Sequence, residues 1–380
     1  MTPRGINQRE ADVAQSFARA VDKVIERTPD IVLVGGDVFH QVRPPNTAIV
    51  QAYIQFGRMR AALPNTEIVM VAGNHDTPRS TDMGSILRLF SSLGIHVVDA
   101  EPKALDFPEL DLSVLAIAHN HHPRPLMKPS SSRRYNLLVL HGEAVGEYED
   151  FARPPELAAR EIPAEDFFAS EWDYIALGHY HVYKQLEPNK FYSGATDYTS
   201  SNVWSEKAEE KERGIKGKRI IERDLDTGTH IFHDLPESRS FIDLPPISAR
   251  GLTTEEVNEQ IVDIVSRAKG GIDDKVVRLV VRDLPRHVAR QLDHRQLREF
   301  RKRALHFQLD THRPDVIRSS SQGAPGRRAT LEELVRDKLR ERVLPPDVER
   351  EALVDLGVQY LRDATVRESQ TTAMDMSADI

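Results

Sequence analysis

The side chains of this sequence that could do chemistry stand at four places, each directly after a short run of branched apolar residues. The segments are GGDVFH from position 35, GNHD from 73, HG from 141 and GHYH from 178. One Gly-Asp or Gly-His pair is a weak signal, because such pairs are common in ordinary turns. Four of them in this order are a strong signal, and they predict one site built from all four segments.

The donor atoms of these segments suit a centre of two metal ions. Two ions about 3.5–4 Å apart need a bridging carboxylate and several neutral ligands. Asp37 can supply the bridge, and Asn74 offers an amide oxygen. His141, His179 and His181 offer imidazole nitrogens, and alternate residues of an extended segment face the same way. Because the set contains no sulfur, it favours manganese, iron or zinc over calcium or copper(I).

The apolar runs before these residues are typical of buried β-strands. They cover residues 31–34, 68–71, 137–140 and 174–177. Amphipathic helical patterns at 12–27 and 47–63 alternate with the first two runs. Alternating strands and helices predict a layered α/β fold, in which ligands bind beyond the carboxyl ends of the strands. We therefore expect all four segments at one edge of the fold.

Composition excludes several classes of protein. The chain has 380 residues, a net charge of −8 and no cysteine. Without cysteine, disulfides, thiol catalysis and thiolate-bound zinc or iron–sulfur clusters are excluded. The negative charge argues against a protein that coats nucleic acid, but it permits a local basic groove. With no long apolar run and no secretory signal, we expect a cytoplasmic protein, associated with the nucleoid if it binds DNA.

The order GD-x-x-H, GNHD, HG, GH-x-H resembles the calcineurin-like metallophosphoesterases, and more closely the SbcD-type nuclease subunit of a DNA double-strand-break repair complex. Arg9-Glu10 ahead of a helix and the segment FYSGATDYTS from position 191 add to the resemblance. It covers residues 7–235 well and the remainder weakly. The fold it implies is a layered α/β sandwich of two central sheets flanked by helices, with a small α+β cap and C-terminal helices.

The resemblance also implies roles for individual residues. Asp37 would bridge two divalent ions, expected to be Mn²⁺, and Asn74, His141 and His179 would complete one metal site. His181 would belong to the other metal site.

Three further residues would act on the phosphate. His75 would protonate the leaving oxygen, and His40 would position the phosphate or stabilise the charge of the transition state. Asp76 would orient His75 by a hydrogen bond. The implied reaction is in-line attack of hydroxide on a phosphodiester, with the metals neutralising the developing charge. The expected activity is that of a DNA exonuclease and endonuclease in DNA repair and recombination.

The sequence departs from the family in one respect. The family opens with a strand ending in Asp-x-His, which supplies two ligands to the His181 site, and no such motif precedes Asp37 here. By this mapping one metal site is complete, and the other keeps only Asp37 and His181. We expect a gene start placed too far downstream, a sheet short of an interior strand, and weak activity of the chain as given. A genuine loss of catalysis is the alternative explanation.

Residues 1–238 are expected to form the nuclease domain and 239–314 the cap. In the cap a capping box at Thr253 opens a helix, 275–281 predicts a strand, and 285–304 predicts a basic helix. In the family such a cap helps to hold DNA, although a solvated helix face explains the basic residues equally well. Those residues are Arg286, Arg290, Arg295, Arg298, Arg301, Lys302 and Arg303.

A second basic stretch and three histidines lie between the metal motifs. The basic stretch either touches DNA or is an ordinary loop, and the histidines match no ligand motif. These residues are Arg124, Lys128, Arg133 and Arg134, and His119, His121 and His122.

The C-terminal region predicts a linker at 315–329, two amphipathic helices within 330–367 and a disordered tail at 368–380. In the family such helices grip the coiled-coil base of an ABC-type ATPase, and the nuclease forms a homodimer. The helices could instead fold back on their own domain.

Two other functions remain open. A phosphodiesterase for small phosphoesters or cyclic nucleotides would leave the C-terminal third without a purpose. A scaffold that binds DNA and the ATPase without cutting would explain the missing Asp-x-His motif.

Overall fold

The computed structural model describes most of the chain, in two compact units that span residues 1–314 and 315–380. The described residues are 7–78, 84–119, 127–129, 133–145, 161–200, 202–314, 331–340 and 349–360. In this part of the chain, no helix is both long and apolar enough to cross a bilayer.

Helices and strands alternate over residues 8–71, as the sequence pattern predicted. The α-helices are α1 (Gln8–Arg27), α2 (Asn46–Ala62), α3 (Val203–Glu212), α4 (Thr254–Ser266), α5 (Arg286–Gln291), α6 (His294–Arg303) and α7 (Leu331–Arg340). The first strands are β1 (Ile31–Val34), β2 (Glu67–Val71), β3 (His96–Val98), β4 (Lys103–Phe107), β5 (Leu112–Ile117), β6 (Tyr135–His141), β7 (Glu143–Val145), β8 (Glu161–Pro163) and β9 (Tyr174–Gly178). The later strands are β10 (Lys184–Glu187), β11 (Lys190–Tyr192), β12 (Lys218–Arg223), β13 (His230–Leu235), β14 (Phe241–Asp243), β15 (Ile247–Ser248), β16 (Val276–Arg282) and β17 (His306–Thr311).

The first sheet is parallel, in the order β1-β2-β3. Successive side chains of a strand point to opposite faces. Ile68 and Met70 of β2 accordingly pack under α1 and α2, whereas Val69 and Val71 face the second sheet. All four are fully buried, which explains why this strand is apolar throughout rather than alternating.

The second sheet has six strands in the order β10-β11-β9-β6-β5-β4, with β5, β6, β9 and β11 parallel. Leu137 and Val139 of β6 face the first sheet, while Leu138 and Leu140 pack on the outer side against Phe167 and other apolar residues. The two sheets therefore share one core, and the expected sandwich of two central sheets is confirmed.

The strand β1 lies at one end of the first sheet. Among the described residues it pairs with β2 alone, and its four residues are all partly exposed. A cleft of about 2900 Å³ runs beside it. Residues 31–34, Tyr174, Ala176 and Phe191 contribute apolar lining, and the same cleft reaches His75, His179 and His181. A cleft with largely apolar lining thus lies beside β1 and reaches the carboxyl ends of β1 and β9.

The region from Phe241 onward forms a separate sheet around the central strand β16, with β14, β15 and β17 all parallel to it. The capping box at Thr253 and the strand predicted at 275–281 are both present. The single helix predicted over 285–304 is wrong, because the structure has α5 and α6 there. The break occurs where the Asp293 carboxylate accepts hydrogen bonds from two backbone amides of α6.

The second unit is helical where it is described. Helix α7 is followed by a helical stretch at 350–360. Val354 and Val358 are buried, whereas Leu356 and Tyr360 are 49% and 69% exposed. The predicted helices are therefore present here, and the expected linker and tail lie outside the described residues.

Candidate metal centre

Asp37, Asn74, His141 and His179 come together at the carboxyl ends of β1, β2, β6 and β9. The Nε2 atom of His141 lies 2.8 Å from the Asn74 amide oxygen and 3.3 Å from Oδ2 of Asp37. Nδ1 of His179 lies 3.3 Å from the same amide oxygen. Ligand atoms of Asp37, His141 and His179 all lie within 4.8 Å of one another. Four segments far apart in sequence thus form one cluster of donor atoms.

The spacing of this cluster fits a divalent metal ion. When metal–ligand bonds are about 2.1 Å long, neighbouring ligands of one ion stand about 3 Å apart. The amide of Asn74 turns its oxygen to the two imidazoles, and among the described residues its buried Nδ2 has no hydrogen-bond partner. A buried Nδ2 atom without a hydrogen bond costs free energy, and binding of a metal by the amide oxygen would offset that cost.

The backbone is strained where it presents these ligands. Asp37 and His179 have φ values of 51° and 121°, in a region that non-glycine residues rarely adopt. Gly36 has a φ of 94°, and a Cβ atom there would lie 2.7 Å from both the Gly73 nitrogen and Nδ1 of His141. The GGD turn therefore needs glycine at position 36 to bring Asp37 against the GNHD loop.

His141 is held rigidly. Its side chain is fully buried, and its Nδ1 lies 2.8 Å from the Gly35 carbonyl oxygen. Because a carbonyl oxygen only accepts, Nδ1 carries a proton, and Nε2 is the atom that would bind a metal. Burial lowers the pKa of His141, but the charge and hydrogen bond of Asp37 outweigh it and raise that pKa, so a metal ion would displace the proton on Nε2.

The pKa values of Asp37 and His179 favour the binding of a cation. Burial would raise the pKa of Asp37, but the charge and hydrogen bond of His141 and the amide of His75 outweigh it and hold the pKa at about 2. Burial, reinforced by His141, lowers the pKa of His179 to about 3. The carboxylate is therefore ionised and the imidazole of His179 is neutral at physiological pH.

The expected hydrogen bond from Asp76 to His75 is not formed. The Asp76 carboxylate accepts from the backbone amides of Val38, Phe39 and Gly73. Burial, and then the charge of Asp37, raise the pKa of Asp76 to about 6. Asp76 thus fastens the GNHD loop to the turn after β1, and the prediction that it orients His75 was wrong.

His75 and His40 form a stacked pair at the rim of the cluster. Nδ1 of His75 lies 2.8 Å from the His40 carbonyl oxygen, and the two ring centroids are 5.2 Å apart. The His75 amide donates to Oδ1 of Asp37 at 2.9 Å. His75 is therefore tied both to the expected metal-bridging carboxylate and to its histidine partner.

His181 stands apart from this cluster. Its side chain is 35% exposed, and its Nδ1 lies 3.9 Å from Oε1 of Glu206. Its carbonyl oxygen accepts hydrogen bonds from Lys218 Nζ and the Ala195 amide, each at 3.0 Å. The second metal site expected at His181 stays a prediction.

Sequence reasoning assigned no role to His119, yet the structure places it beside the cluster. Its ring meets the edge of the His141 ring at a centroid distance of 5.9 Å. His119 follows β5 by two residues, so the pattern of a strand followed by a metal-competent side chain could have identified it. His121, His122 and Arg124 lie outside the described residues.

The basic stretch after these histidines forms surface ion pairs. Arg133 binds both carboxylate oxygens of Asp106. Arg134 pairs with Asp226, and Lys128 with Glu171. In this conformation the three cations are engaged by carboxylates, which weakens the argument for a DNA contact here.

The geometry defines a layered α/β sandwich with a candidate metal centre, and a comparison of sequences gives its family. Residues 11–210 match the model of the calcineurin-like phosphoesterase family. This is more than half of the chain, and the chain belongs to that family.

The more specific resemblance is also confirmed. The chain is similar to proteins named DNA double-strand break repair protein Mre11. It is 26% identical over 252 residues to that of Methanocaldococcus jannaschii, covering 63% of this chain and 64% of the relative. It is 26% identical over 231 residues to that of Methanococcus maripaludis, covering 58% and 59%, and 22% identical over 304 residues to that of Methanopyrus kandleri, covering 73% and 64%. The chain thus spans about three fifths of the length of these curated relatives.

Proposed function

We propose that this protein is a metal-dependent DNA nuclease of double-strand-break repair, with exonuclease and endonuclease activity. The convergence of Asp37, Asn74, His141 and His179 at the spacing of ligands to one divalent ion carries the proposal. The family supports phosphoester hydrolysis, and the names of the relatives support DNA as the substrate.

Two divalent ions, Mn²⁺ first among them, are proposed to bind here. Asp37 would contact both ions, Asn74, His141 and His179 would hold one, and His181 would hold the other. When bound, such ions supply a nucleophile from water at neutral pH and neutralise the charge of the phosphate. The ionised Asp37 and the neutral His179 are in the protonation states that this binding requires.

His75 is proposed as the proton donor. Its Nδ1–H donates to the carbonyl oxygen of His40, so the proton available for transfer to the leaving oxygen is the one on Nε2. His40 is exposed in the cleft, and its ring stacks on His75 and orients it. Asp76 acts less directly, by fixing the loop that carries Asn74 and His75.

The test is Mn²⁺-dependent cleavage of labelled linear duplex DNA by the full chain, with EDTA as the metal-free control. His75→Ala should abolish cleavage, because the proton donor is removed. His96→Ala is a matched control, since His96 pairs with Glu67 on the first sheet and is not part of the metal centre. Cleavage that survives in His75→Ala would contradict the proposed proton donor.

The same assay separates the other two functions. Hydrolysis of a cyclic nucleotide or of bis(p-nitrophenyl) phosphate without any DNA cleavage would favour a small-molecule phosphodiesterase. DNA binding without cleavage, at Mn²⁺ concentrations shown by calorimetry to saturate the site, would favour a scaffold.

Residues 239–314 are proposed as a cap that contacts DNA. All seven basic residues of α5 and α6 are exposed, although Arg303 is engaged by Asp273 and Lys302 by Glu299. Arg298→Glu with Arg301→Glu should weaken DNA binding and lower its dependence on salt concentration. Unchanged binding would favour the solvated helix face.

Self-association is proposed through α2. Val50 and Ile54 lie one turn apart on this helix and are 53% and 47% exposed. Together they form a small exposed apolar patch, which supports a contact with a second copy of the chain. Val50→Asp should convert a dimer to monomers in analytical ultracentrifugation. A monomeric wild-type chain would contradict this part of the proposal.

The helices within 330–367 are proposed to bind the coiled-coil base of an ABC-type ATPase. The exposed apolar side chains of Leu356 and Tyr360 support an amphipathic partner. Leu356→Asp should abolish co-purification with that ATPase, and cleavage by the isolated chain should be unchanged.

A further inference from the structure

A buried carboxylate lies next to His181, the candidate ligand that stands outside the cluster. Glu206 is in the first turn of α3, and its side chain is only 4% exposed. Its Oε1 lies 3.9 Å from Nδ1 of His181. No metal motif includes Glu206. Because a buried charge is costly unless other groups compensate it, the partners of Glu206 indicate what it does.

Those partners connect Glu206 to the backbone of His181. Ser200 Oγ donates to Oε2 of Glu206 at 2.8 Å, and Lys218 Nζ donates to Oε1. Lys218 Nζ also donates to the carbonyl oxygen of His181 at 3.0 Å. One lysine therefore holds both the carboxylate and the main chain of the histidine. The carboxylate is thereby kept on the Nδ1 side of the imidazole.

A simple ion pair with Lys218 does not account for Glu206. Glu210, one turn later on α3, already pairs with Lys218 at 3.0 Å and accepts a hydrogen bond from the Tyr198 hydroxyl. Among the described residues, these two buried carboxylates share one buried lysine, which leaves one negative charge in excess. Lys207, another cation beside Tyr198, pairs with Glu237. The excess charge favours a further cation near His181.

We propose that Glu206 is a positioning residue for His181: it accepts the Nδ1 proton of the imidazole, so that Nε2 is the atom left to bind a metal. Histidine ligands of metals usually donate their second ring N–H to a carboxylate or a carbonyl oxygen. His141 uses the carbonyl of Gly35 in this way. The distance of 3.9 Å exceeds that of a hydrogen bond, about 3 Å, so the proposal requires the ring to turn towards Glu206 when a metal binds.

The inference rests on the proposed function only in taking His181 as a metal ligand. Its test is calorimetric titration of Mn²⁺ into the full chain. The binding component that His181→Ala removes is assigned to His181. Glu206→Ala should weaken that component by about 10- to 100-fold, the range seen when such outer partners are lost. Glu206→Gln should weaken it less, because its amide oxygen can still accept the proton.

Glu210→Gln is the matched control. Glu210 is on the same helix, is equally buried and pairs with the same lysine, but no contact joins it to His181. It should leave the His181 component within about twofold of wild type. Equal losses in the Glu206 and Glu210 variants would reduce both residues to structural roles and overturn the proposal. An unchanged Glu206→Ala, or no binding component that depends on His181, would overturn it as well.

A second measurement needs neither metal nor activity. Nitrogen NMR of the metal-free chain at a pH where histidine is neutral, with the His181 signal assigned from His181→Ala, reports which ring nitrogen carries the proton. We expect the Nδ1–H form in the wild type and a shift towards Nε2–H in Glu206→Ala. The Nε2–H form in the wild type would contradict the proposal. Failure to cleave DNA would count against the proposed function and leave this result untouched.

Discussion

The two sides of the candidate metal centre are built in different ways. On one side His141 is fully buried, and the carbonyl oxygen of Gly35 holds the proton on its Nδ1. On the other side His181 is 35% exposed, and the nearest carboxylate, Glu206, lies at 3.9 Å on a separate helix. One ligand is held by the backbone of the turn after β1, and the other depends on a side chain brought from elsewhere in the fold.

The difference shows how much of a metal site can be organised before the metal binds. The His141 side has donor distances of 2.8 and 3.3 Å, close to those around a bound ion. The His181 side borders the open cleft beside β1 and has no comparable cluster among the described residues. We therefore expect the first side to bind metal tightly and the second to bind it weakly, and four experiments test this contrast.

The largest effect is expected from alanine at two glycines that have positive φ values. In Gly36→Ala the new Cβ would lie 2.7 Å from the Gly73 nitrogen and from His141, at a φ of 94°. Strain and overlap together should lower the free energy of unfolding by about 4 kcal/mol. In Gly194→Ala the Cβ would lie 2.9 Å from the His181 carbonyl oxygen, at a φ of 82°.

We expect a smaller loss for Gly194→Ala, about 2 kcal/mol, because the overlap of its Cβ with neighbouring atoms is smaller. Urea denaturation of both variants measures the two losses. If they are equal, the two sides of the centre are equally rigid, and the contrast drawn above fails.

Substitution of one candidate ligand on each side should change the affinity for Mn²⁺ by different amounts. Asn74→Ala takes away the oxygen that lies 2.8 Å from His141 and 3.3 Å from His179. It should weaken the tightest Mn²⁺ binding by about 100-fold, the upper end of the loss seen when a partner of a ligand is removed, because Asn74 would contact the ion itself. His181→Ala should leave that tight binding nearly unchanged. Calorimetric titration checks both, with Asn136→Ala as a control in a strand of the same sandwich.

Mn²⁺ should raise the thermal stability of the chain through the His141 side of the centre. Mn²⁺ at 100 times its dissociation constant should stabilise the chain by about 2.7 kcal/mol. This corresponds to a rise in Tm of about 5 °C, which EDTA should reverse. The rise should persist in His181→Ala and vanish in Asn74→Ala. Differential scanning calorimetry would contradict the contrast if His181→Ala abolished the rise.

The smallest effect is expected at His119. Its ring meets the edge of the His141 ring, so its removal should loosen a ligand without removing one. We expect His119→Ala to weaken Mn²⁺ binding by about threefold, the magnitude of one aromatic edge contact. A loss of 100-fold would instead make His119 a ligand and enlarge the His141 side of the centre.

The elements around the site were predictable because each has a local cause. The strands at 31–34, 68–71, 137–140 and 174–177 are all present, since branched apolar runs bounded by glycine favour buried parallel strands. The capping box at Thr253 is likewise a local signal, and it is formed. The prediction of one helix over 285–304 was wrong at Asp293. The side chain of Asp293 caps a new helix there, so the first helix does not continue.

The role of Asp76 could not be predicted, because its three hydrogen-bond donors depend on how the turn after β1 packs on the GNHD loop. Glu206 shows the same limit. It is 25 residues from His181 in the chain, and nothing in that spacing indicates that β12 would bring Lys218 against both of them.

The sequence by itself determined the chemistry of the centre: which residues can donate to a metal, and that each follows a strand. Those properties reside in residue types and in short-range patterns, which do not depend on distant parts of the chain. Only the tertiary structure decided that Asn74 lies between two imidazoles, that His119 joins them and that His181 stands apart. These distances depend on how two sheets pack face to face, and long-range packing cannot be derived from local sequence.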